Sequence, residues 1–277
     1  MLPTMKIGDV EVTKLIVGSN PFTGKSHMDE ATDADMKSYF SEEQVFAMLR
    51  RCEEAGINAV QSRGSMPVMG LIDRYRRSGG KLLWLAQSGK NLTTFDEELD
   101  EMMKYDPAAV CIHGELADNL YLAGMLDKLE GLLDKIRRKN VPAGICAHFP
   151  QVLEYAQEKG LAPDYYMASL YNLSQTDRSH DVNPEGERFE ESDIPVMYNV
   201  IRQLTAPTFA LKILGAGRRC GSQEQVKNAF TEAFCSMKPT DGVLVGMFDK
   251  YIDQPRLNAE YTVEAIRIAE NRENCRM

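Results

Sequence analysis

The sequence predicts an α/β fold, a single (β/α)8 TIM barrel with an N-terminal β-hairpin, and assigns residues 1–277 to one domain. Three observations predict it. Short apolar runs rich in β-formers recur eight times, helical stretches with recognisable starts lie between them, and the 277 residues match the roughly 250 that a closed barrel of this class needs. Alternation of strand and helix argues for parallel strands joined by right-handed crossovers.

The elements follow in order. MKIGDVEV reads as a hairpin turning at Gly8 and Asp9, a plug for the barrel bottom. The first barrel strand is LIVG from Leu15, followed by a long connection from Ser19 to Phe40. Ser41 with Gln44 fits a capping box, and Val45, Met48, Leu49 and Cys52 then share one helix face. The second strand is NAVQ from Asn58, with Pro67 suited to a helix first turn. LLWLAQ from Leu82 is the third, and Thr94 with Glu97 caps the helix after it. AAVCIH from Ala108 is the fourth, and Leu122, Met125, Leu126, Leu129, Leu133 and Ile136 read as one apolar face of the following helix. VPAGICAH from Val141 precedes Pro150 at a helix start, and DYYMASLY from Asp164 leads into the second long connection, Tyr171 to Pro195. FALKIL from Phe209 runs into a glycine-rich turn and a helix capped by Ser222 with Gln225. GVLVG from Gly242 closes the barrel. Both long loops, after strands 1 and 6, lie over the C-terminal mouth and are candidate lids.

Composition narrows the function. A hydrophobic share of 43% and a charged share of 26% exclude disordered and fibrous chains. Lys plus Arg number 32 against 41 Asp plus Glu, and the net charge of −9 repels nucleic-acid phosphates and anionic membranes. No run approaches the roughly 18 apolar residues of a spanning helix, and the start lacks signal-peptide order, so a cytoplasmic protein is expected. The six cysteines, at 52, 111, 146, 220, 235 and 275, form no C-x-x-C pair and are expected reduced. The expected partner is a small molecule that can be anionic; a homo-oligomer is compatible with the sequence.

Strand alternation nominates the site. Val110 and Ile112 facing the helices place Cys111 and His113 inside; Ile145 and Ala147 outside place Cys146 and His148 inside. C-x-H therefore occurs on two neighbouring strands. His113 and His148 are the catalytic candidates and also candidate ligands of a divalent metal, zinc or manganese. On the seventh strand, Phe209, Leu211 and Ile213 outward would put Ala210, Lys212 and Leu214 inward, making Lys212 a third catalytic candidate, as an anion anchor or a base. Gln61, Arg63 and Gln87 on strands two and three, with Asn20, Glu115 and Tyr171 at the rim, are candidate substrate-binding residues. After strand seven, ILGAGRRCGSQEQ supplies Gly215, Gly217 and Arg218 at a place where barrels often bind anions.

The hairpin, KLIVGSNPF, GINAVQS, CIHGELAD, LYNL and VGMFDKYIDQPRLNAEY, taken in order along almost the whole chain, resemble the aldo-keto reductase superfamily. The resemblance implies an (α/β)8 barrel with its site at the C-terminal mouth, in a family that usually reduces carbonyls with NADPH through an Asp, Tyr, Lys and His tetrad. Only the His is matched, by His113. The Asp position matches Gln61, the Tyr position Met66, and the Lys position Ser88 or Gln87, so the usual proton donor and its tuning are gone. The nicotinamide-holding positions match Ala147, His148 and Ala168. Gln254 and Asn258 resemble cofactor-contacting positions, for use only if NADPH binds, with Lys250 the one local substitute for a phosphate clamp. The chain also resembles a bacterial subgroup of such barrels carrying KILGAGR.

The leading expectation is a non-redox enzyme of isomerase or lyase type, using His113, His148 and Lys212, with metal assistance an open option, on a small polar carbonyl, a sugar-like or a hydroxy-acid substrate, which would place it in carbohydrate metabolism. A divergent NADPH-dependent reductase is the alternative, and a non-catalytic ligand-binding barrel the second.

Overall fold

The computed structural model describes residues 1–173 and 188–274. The strands are β1 (Thr4–Ile7), β2 (Val10–Thr13), β3 (Leu15–Gly18), β4 (Ala59–Arg63), β5 (Leu83–Gln87), β6 (Ala109–Ile112), β7 (Ala143–Ala147), β8 (Tyr165–Ser169), β9 (Thr208–Leu211) and β10 (Gly242–Gly246). The helices are α1 (Glu30–Tyr39), α2 (Glu42–Glu54), α3 (Val68–Arg77), α4 (Phe95–Met103), α5 (Gly114–Leu122), α6 (Lys128–Arg137), α7 (Pro150–Glu158), α8 (Asp193–Gln203), α9 (Gln223–Ser236) and α10 (Gln254–Asn274).

β3 to β10 pair in sequence order, all parallel, and β10 returns to β3 to close the barrel. All eight predicted barrel strands are present. β1 and β2 form the predicted antiparallel hairpin, with Gly8 at φ 58 in its turn. Alternation along the strands splits the core in two. Val60, Trp84, Val110, Ile112 and Ile145 face the helix layer. Ala59, Leu85, Ala109, Cys111, Cys146, Tyr165 and Phe209 fill the interior, sealed from below by Met5, Ile7 and Val12 of the hairpin. The plug follows from the hairpin's own alternation, which sends these apolar residues upward.

Helix signals hold where one side is apolar. Val45, Met48, Leu49 and Cys52 are all buried on α2, each contributing roughly 1.5–3 kcal/mol by transfer from water. Ser41 accepts from the Gln44 amide and Ser222 from the Gln225 amide. Thr94 departs from expectation: it caps α4 without accepting a backbone amide, and its hydroxyl donates to the Glu98 carboxylate at 2.8 Å. Pro67 precedes α3 as its cap residue, whereas Pro150 opens α7 as predicted.

Two readings change. The face from Leu122 to Ile136 belongs to two helices, because Gly124 at φ 66 ends α5 and leaves Leu122 exposed. On β9 the predicted register is inverted, with Phe209 and Leu211 packed inside the barrel and Ala210 in the helix layer, whereas Ile213, past the strand, lies in the helix layer as expected. Phe209 stands edge-on to Tyr165, ring centroids 6.5 Å apart. A parallel strand is apolar on both faces, so alternation there carries little register information.

The first long connection is folded. Asn20–Thr23 form a 3-10 turn and Glu30–Tyr39 a helix, with Asp29 accepting from the Thr32 amide at 2.7 Å. Phe40 packs on Phe22 and Phe248, and Arg51 pairs with the buried Asp249, so α1 and α2 are tied to the segment after β10. Residues 174–187 of the second long connection lie outside the described residues; its ends meet where the Asn172 amide donates to Asp193 at 3.0 Å. Among the described residues no helix is long and apolar enough to cross a membrane.

Candidate active site

Four consecutive strands raise polar side chains to the mouth. Arg63 at the end of β4 is in register with Gln87 on β5, and Gln87 with Cys111 on β6. His113 follows two residues beyond Cys111, and His148 two beyond Cys146 on β7. Gln61 and Gln87 touch, Nε2 to Oε1 at 3.4 Å. The predicted inward set of Gln61, Arg63, Gln87, His113 and His148 therefore shares one rim.

His148 is held by a residue the sequence reading passed over. Asp118, on the second turn of α5 and 6% exposed, lies 2.7 Å from His148 Nδ1. Its carboxylate also accepts the backbone amides of His148 and Phe149, at 3.1 and 3.3 Å to Oδ1. A carboxylate only accepts, so Nδ1 carries a hydrogen, and in the neutral ring Nε2 holds the lone pair. A signal for Asp118 existed: it is an acid on the helix face that buries Leu116, Ala117 and Leu120, and acids are rarely buried without a partner.

His113 is set differently. It is the N-cap of α5, its Nδ1 accepting the Glu115 amide at 3.0 Å, while its own amide donates to Ser88 Oγ at 3.0 Å. Burial, then the positive charges of Lys90 and Arg63, then His148 and Lys212, lower its pKa to about 3. The ring is neutral at physiological pH. With Nδ1 accepting, Nε2 carries the hydrogen and can donate to an oxygen, an arrangement known for a neutral imidazole at a helix N-terminus. Gly114, next to His113, lies against the other ring: a Cβ there would meet His148 Cε1 at 3.0 Å and Cys146 Sγ at 3.1 Å.

Lys212 reaches the site by another route than expected. It lies just past β9 at φ 63, a left-handed conformation costly for a side-chain-bearing residue. That bend breaks the alternation and brings its charge within reach of both His113 and Cys146. Below the rim, burial pushes the Cys146 thiol up to about 12 and the Cys111 thiol well above its usual value. Among the described residues no group of three or more His, Cys, Asp or Glu side chains is placed to hold a metal ion. His113 and His148 each have Nδ1 already engaged, and no third side-chain ligand joins them among the described residues.

The remaining candidates are engaged elsewhere. Glu115 is exposed and pairs with Lys90. Asn20 bonds His27, Nδ2 to Nε2 at 3.0 Å. Tyr171 is buried beside Gly215 and packs on Phe189, centroids 5.0 Å apart. In the glycine-rich turn the amides of Gly215, Gly217, Arg218, Arg219 and Cys220 close on carbonyls between Lys212 and Gly217, so these five are not free to face an anion. Arg218 donates to the His27 and Gly215 carbonyls and stacks on Phe189 at 3.8 Å. Gln254 accepts the Phe248 amide at 2.8 Å, Asn258 is 4% exposed, and Lys250 is bound to Asp35. These residues do not fit an NADPH phosphate clamp. Ala147 and Ala168 face the helix layer, and Met66 is exposed.

No protein-family model matches the chain, and no curated protein is similar to it. Solved structures are similar in fold: an aldo-keto reductase from Bacillus halodurans in its holo form (11% identity, 98% of this chain and 96% of that one, TM-score 0.58), a truncated 3-deoxy-D-arabino-heptulosonate 7-phosphate synthase from Thermotoga maritima (12%, 98% and 93%, TM-score 0.56), and a 3-hexulose-6-phosphate synthase from Salmonella typhimurium (11%, 93% and 100%, TM-score 0.54). At such identities the likeness shows the TIM-barrel fold, shared by proteins of several chemistries, and the aldo-keto reductase is one neighbour among them.

Proposed function

We propose that the chain is a non-redox enzyme that moves a proton next to a carbonyl group of a small polar substrate, in isomerase or lyase chemistry. One observation carries the reading: the His148–Asp118 pair engages Nδ1 and lies against Gly114, the residue after His113, whose own Nδ1 accepts the Glu115 amide and so leaves its Nε2–H to donate.

His148 Nε2 takes the proton from the carbon adjacent to the carbonyl. The C–H electron pair forms a C=C bond, and the carbonyl electrons move onto oxygen. Asp118 stabilises the imidazolium so formed, and His113 donates a hydrogen bond to the developing enolate oxygen, where electrostatic stabilisation is most effective. Where the deprotonated carbon carries a hydroxyl, that hydroxyl's proton passes to the enolate oxygen and the C–O⁻ left behind becomes the new carbonyl. His148 returns its proton to the former carbonyl carbon, completing an isomerisation. Where a β-substituent is present, the enolate pair reforms the carbonyl as the C=C moves to the α,β position. The substituent leaves with its bonding pair and the proton from His148, completing an elimination. Lys212 adds positive charge at the same rim.

The test is exchange of substrate C–H protons in D2O, followed by proton NMR over small keto acids, hydroxy acids and keto sugars. Wild type should exchange one class at least about 100-fold faster than buffer, the low end for a positioned base, and His148→Ala should abolish the excess. Unchanged exchange in the His113→Ala, His148→Ala double variant would overturn the reading. Trp84 is no reporter of this site, since it faces the helix layer with its indole N–H on Ser62 Oγ at 2.8 Å.

A further inference from the structure

We infer that Arg63 binds a carboxylate of the substrate, so that the substrate is a 2-oxo or 2-hydroxy acid; the position of its carbonyl rests on the proton-transfer reading, the carboxylate site does not. Arg63 ends β4 on the inward face, above Ala59 and Gln61. Its Nε is buried with no hydrogen-bond partner, and among the described residues the guanidinium forms no ion pair. A buried N–H left unsatisfied costs about 1–3 kcal/mol, and more when charged. Such a cost persists in a folded chain where a ligand removes it.

Lys90 is neutralised by Glu115, Arg218 rests on two carbonyls and a ring, and Lys212 has an interaction of its own. Arg63 offers a positive charge on a planar fork, which matches a carboxylate held through paired N–H donors. A phosphate dianion would call for more donors, and the amides of Gly215, Gly217, Arg218, Arg219 and Cys220 are spent within their own turn.

Position selects the 2-oxo or 2-hydroxy class. Arg63 and the β6 strand that carries His113 are separated by one strand, about 10 Å between backbones, and Gln87 stands between them. In this proposal adjacent functional groups of one small acid bridge Arg63 and His113. An acid held by Arg63 thus sets its neighbouring carbon's oxygen toward His113 Nε2, and Gln61 and Gln87 offer amide groups to either oxygen.

The experiment is calorimetric titration of the full chain with pyruvate, lactate, inorganic phosphate and uncharged hydroxyacetone, with histidine ring-proton NMR to locate binding. Pyruvate and lactate should saturate and shift the His113 and His148 signals, while phosphate and hydroxyacetone bind at least about tenfold more weakly. Arg63→Gln should lose tenfold or more for the two acids and Arg63→Lys should fall between, with melting temperature checking the fold of each. Equal pyruvate binding by wild type and Arg63→Gln, tighter binding of phosphate than of either acid, or no carboxylate binding by wild type would overturn the proposal. His148→Ala keeps pyruvate binding, so a failed exchange assay with intact binding would sink the proton-transfer reading and leave the Arg63 site standing.

Discussion

His148 Nδ1 and Asp118 Oδ2 are 2.7 Å apart, and the carboxylate that holds the ring also receives the backbone amides of His148 and Phe149. Three donors fix the carboxylate, and through it the ring plane and tautomer. The strand that carries the base and the helix that orients it are thereby locked together.

Asp118→Asn tests that lock. The amide presents either a donor or a weaker acceptor to Nδ1 and no longer stabilises an imidazolium, so substrate exchange should fall roughly 100- to 10,000-fold, as for an orienting carboxylate behind a catalytic histidine. Nitrogen NMR of the neutral His148 ring should show the hydrogen on Nδ1 in wild type and a shift toward the other tautomer in the variant. An unchanged tautomer with unchanged exchange would remove Asp118 from the machinery.

Gly114→Ala probes the spacing between the two imidazoles. Alanine is favourable in a helix first turn, yet its Cβ would sit 3.0 Å from His148 Cε1 and 3.2 Å from Nδ1. The ring must give way, at about 1–3 kcal/mol for an overpacked buried site. Unfolding in urea should show that loss, and exchange activity should fall by a larger factor than stability accounts for. Wild-type activity would mean that His148 has room to spare.

Much of this site could be read from alternation alone. Gln61, Arg63 and Gln87 sit on strands, and His113 and His148 just past the ends of two more, where the apolar face is plain, so period two pointed to them. Asp118 was not legible in that way, because it arrives from a helix and only the folded barrel brings α5 against the end of β7. FALKIL misled because both of its faces are buried, and Lys212 escaped the consequence only through its left-handed backbone. The glycine-rich turn looked like an anion cradle because composition reveals loop flexibility, whereas the direction of each amide depends on torsions that composition leaves open. Leu122 to Ile136 kept an apolar period across two helices, which concealed the break at Gly124.

His113 sets a pH dependence of stability. Its pKa is about 3 in the folded chain against an ordinary 6.5. Between those values the unfolded chain binds a proton that the folded chain refuses, so stability rises with pH through the window and is lost as pH falls from 6.5 toward 3. The slope from this one half-buried group is at most about 1.4 kcal/mol per pH unit. His113→Gln should lose less stability than wild type between pH 7 and pH 5 in urea titrations; identical losses would show that His113 protonates freely in the folded state.

Lys212 combines backbone strain with a charge at the rim, and two variants separate them. Lys212→Met removes the ammonium and keeps the Cβ; Lys212→Gly removes the ammonium and also suits φ 63. Both lose the same side-chain electrostatics, so their difference reports the backbone. Glycine should be the more stable by about 1 kcal/mol, the scale of a strained left-handed residue, reduced by glycine's greater freedom in the unfolded chain. On the proposed proton transfer both should slow exchange, because each removes the positive charge near His113 and Cys146. Equal melting temperatures for the two variants would show the turn unstrained at Lys212, and full activity in both would confine this residue to a structural role.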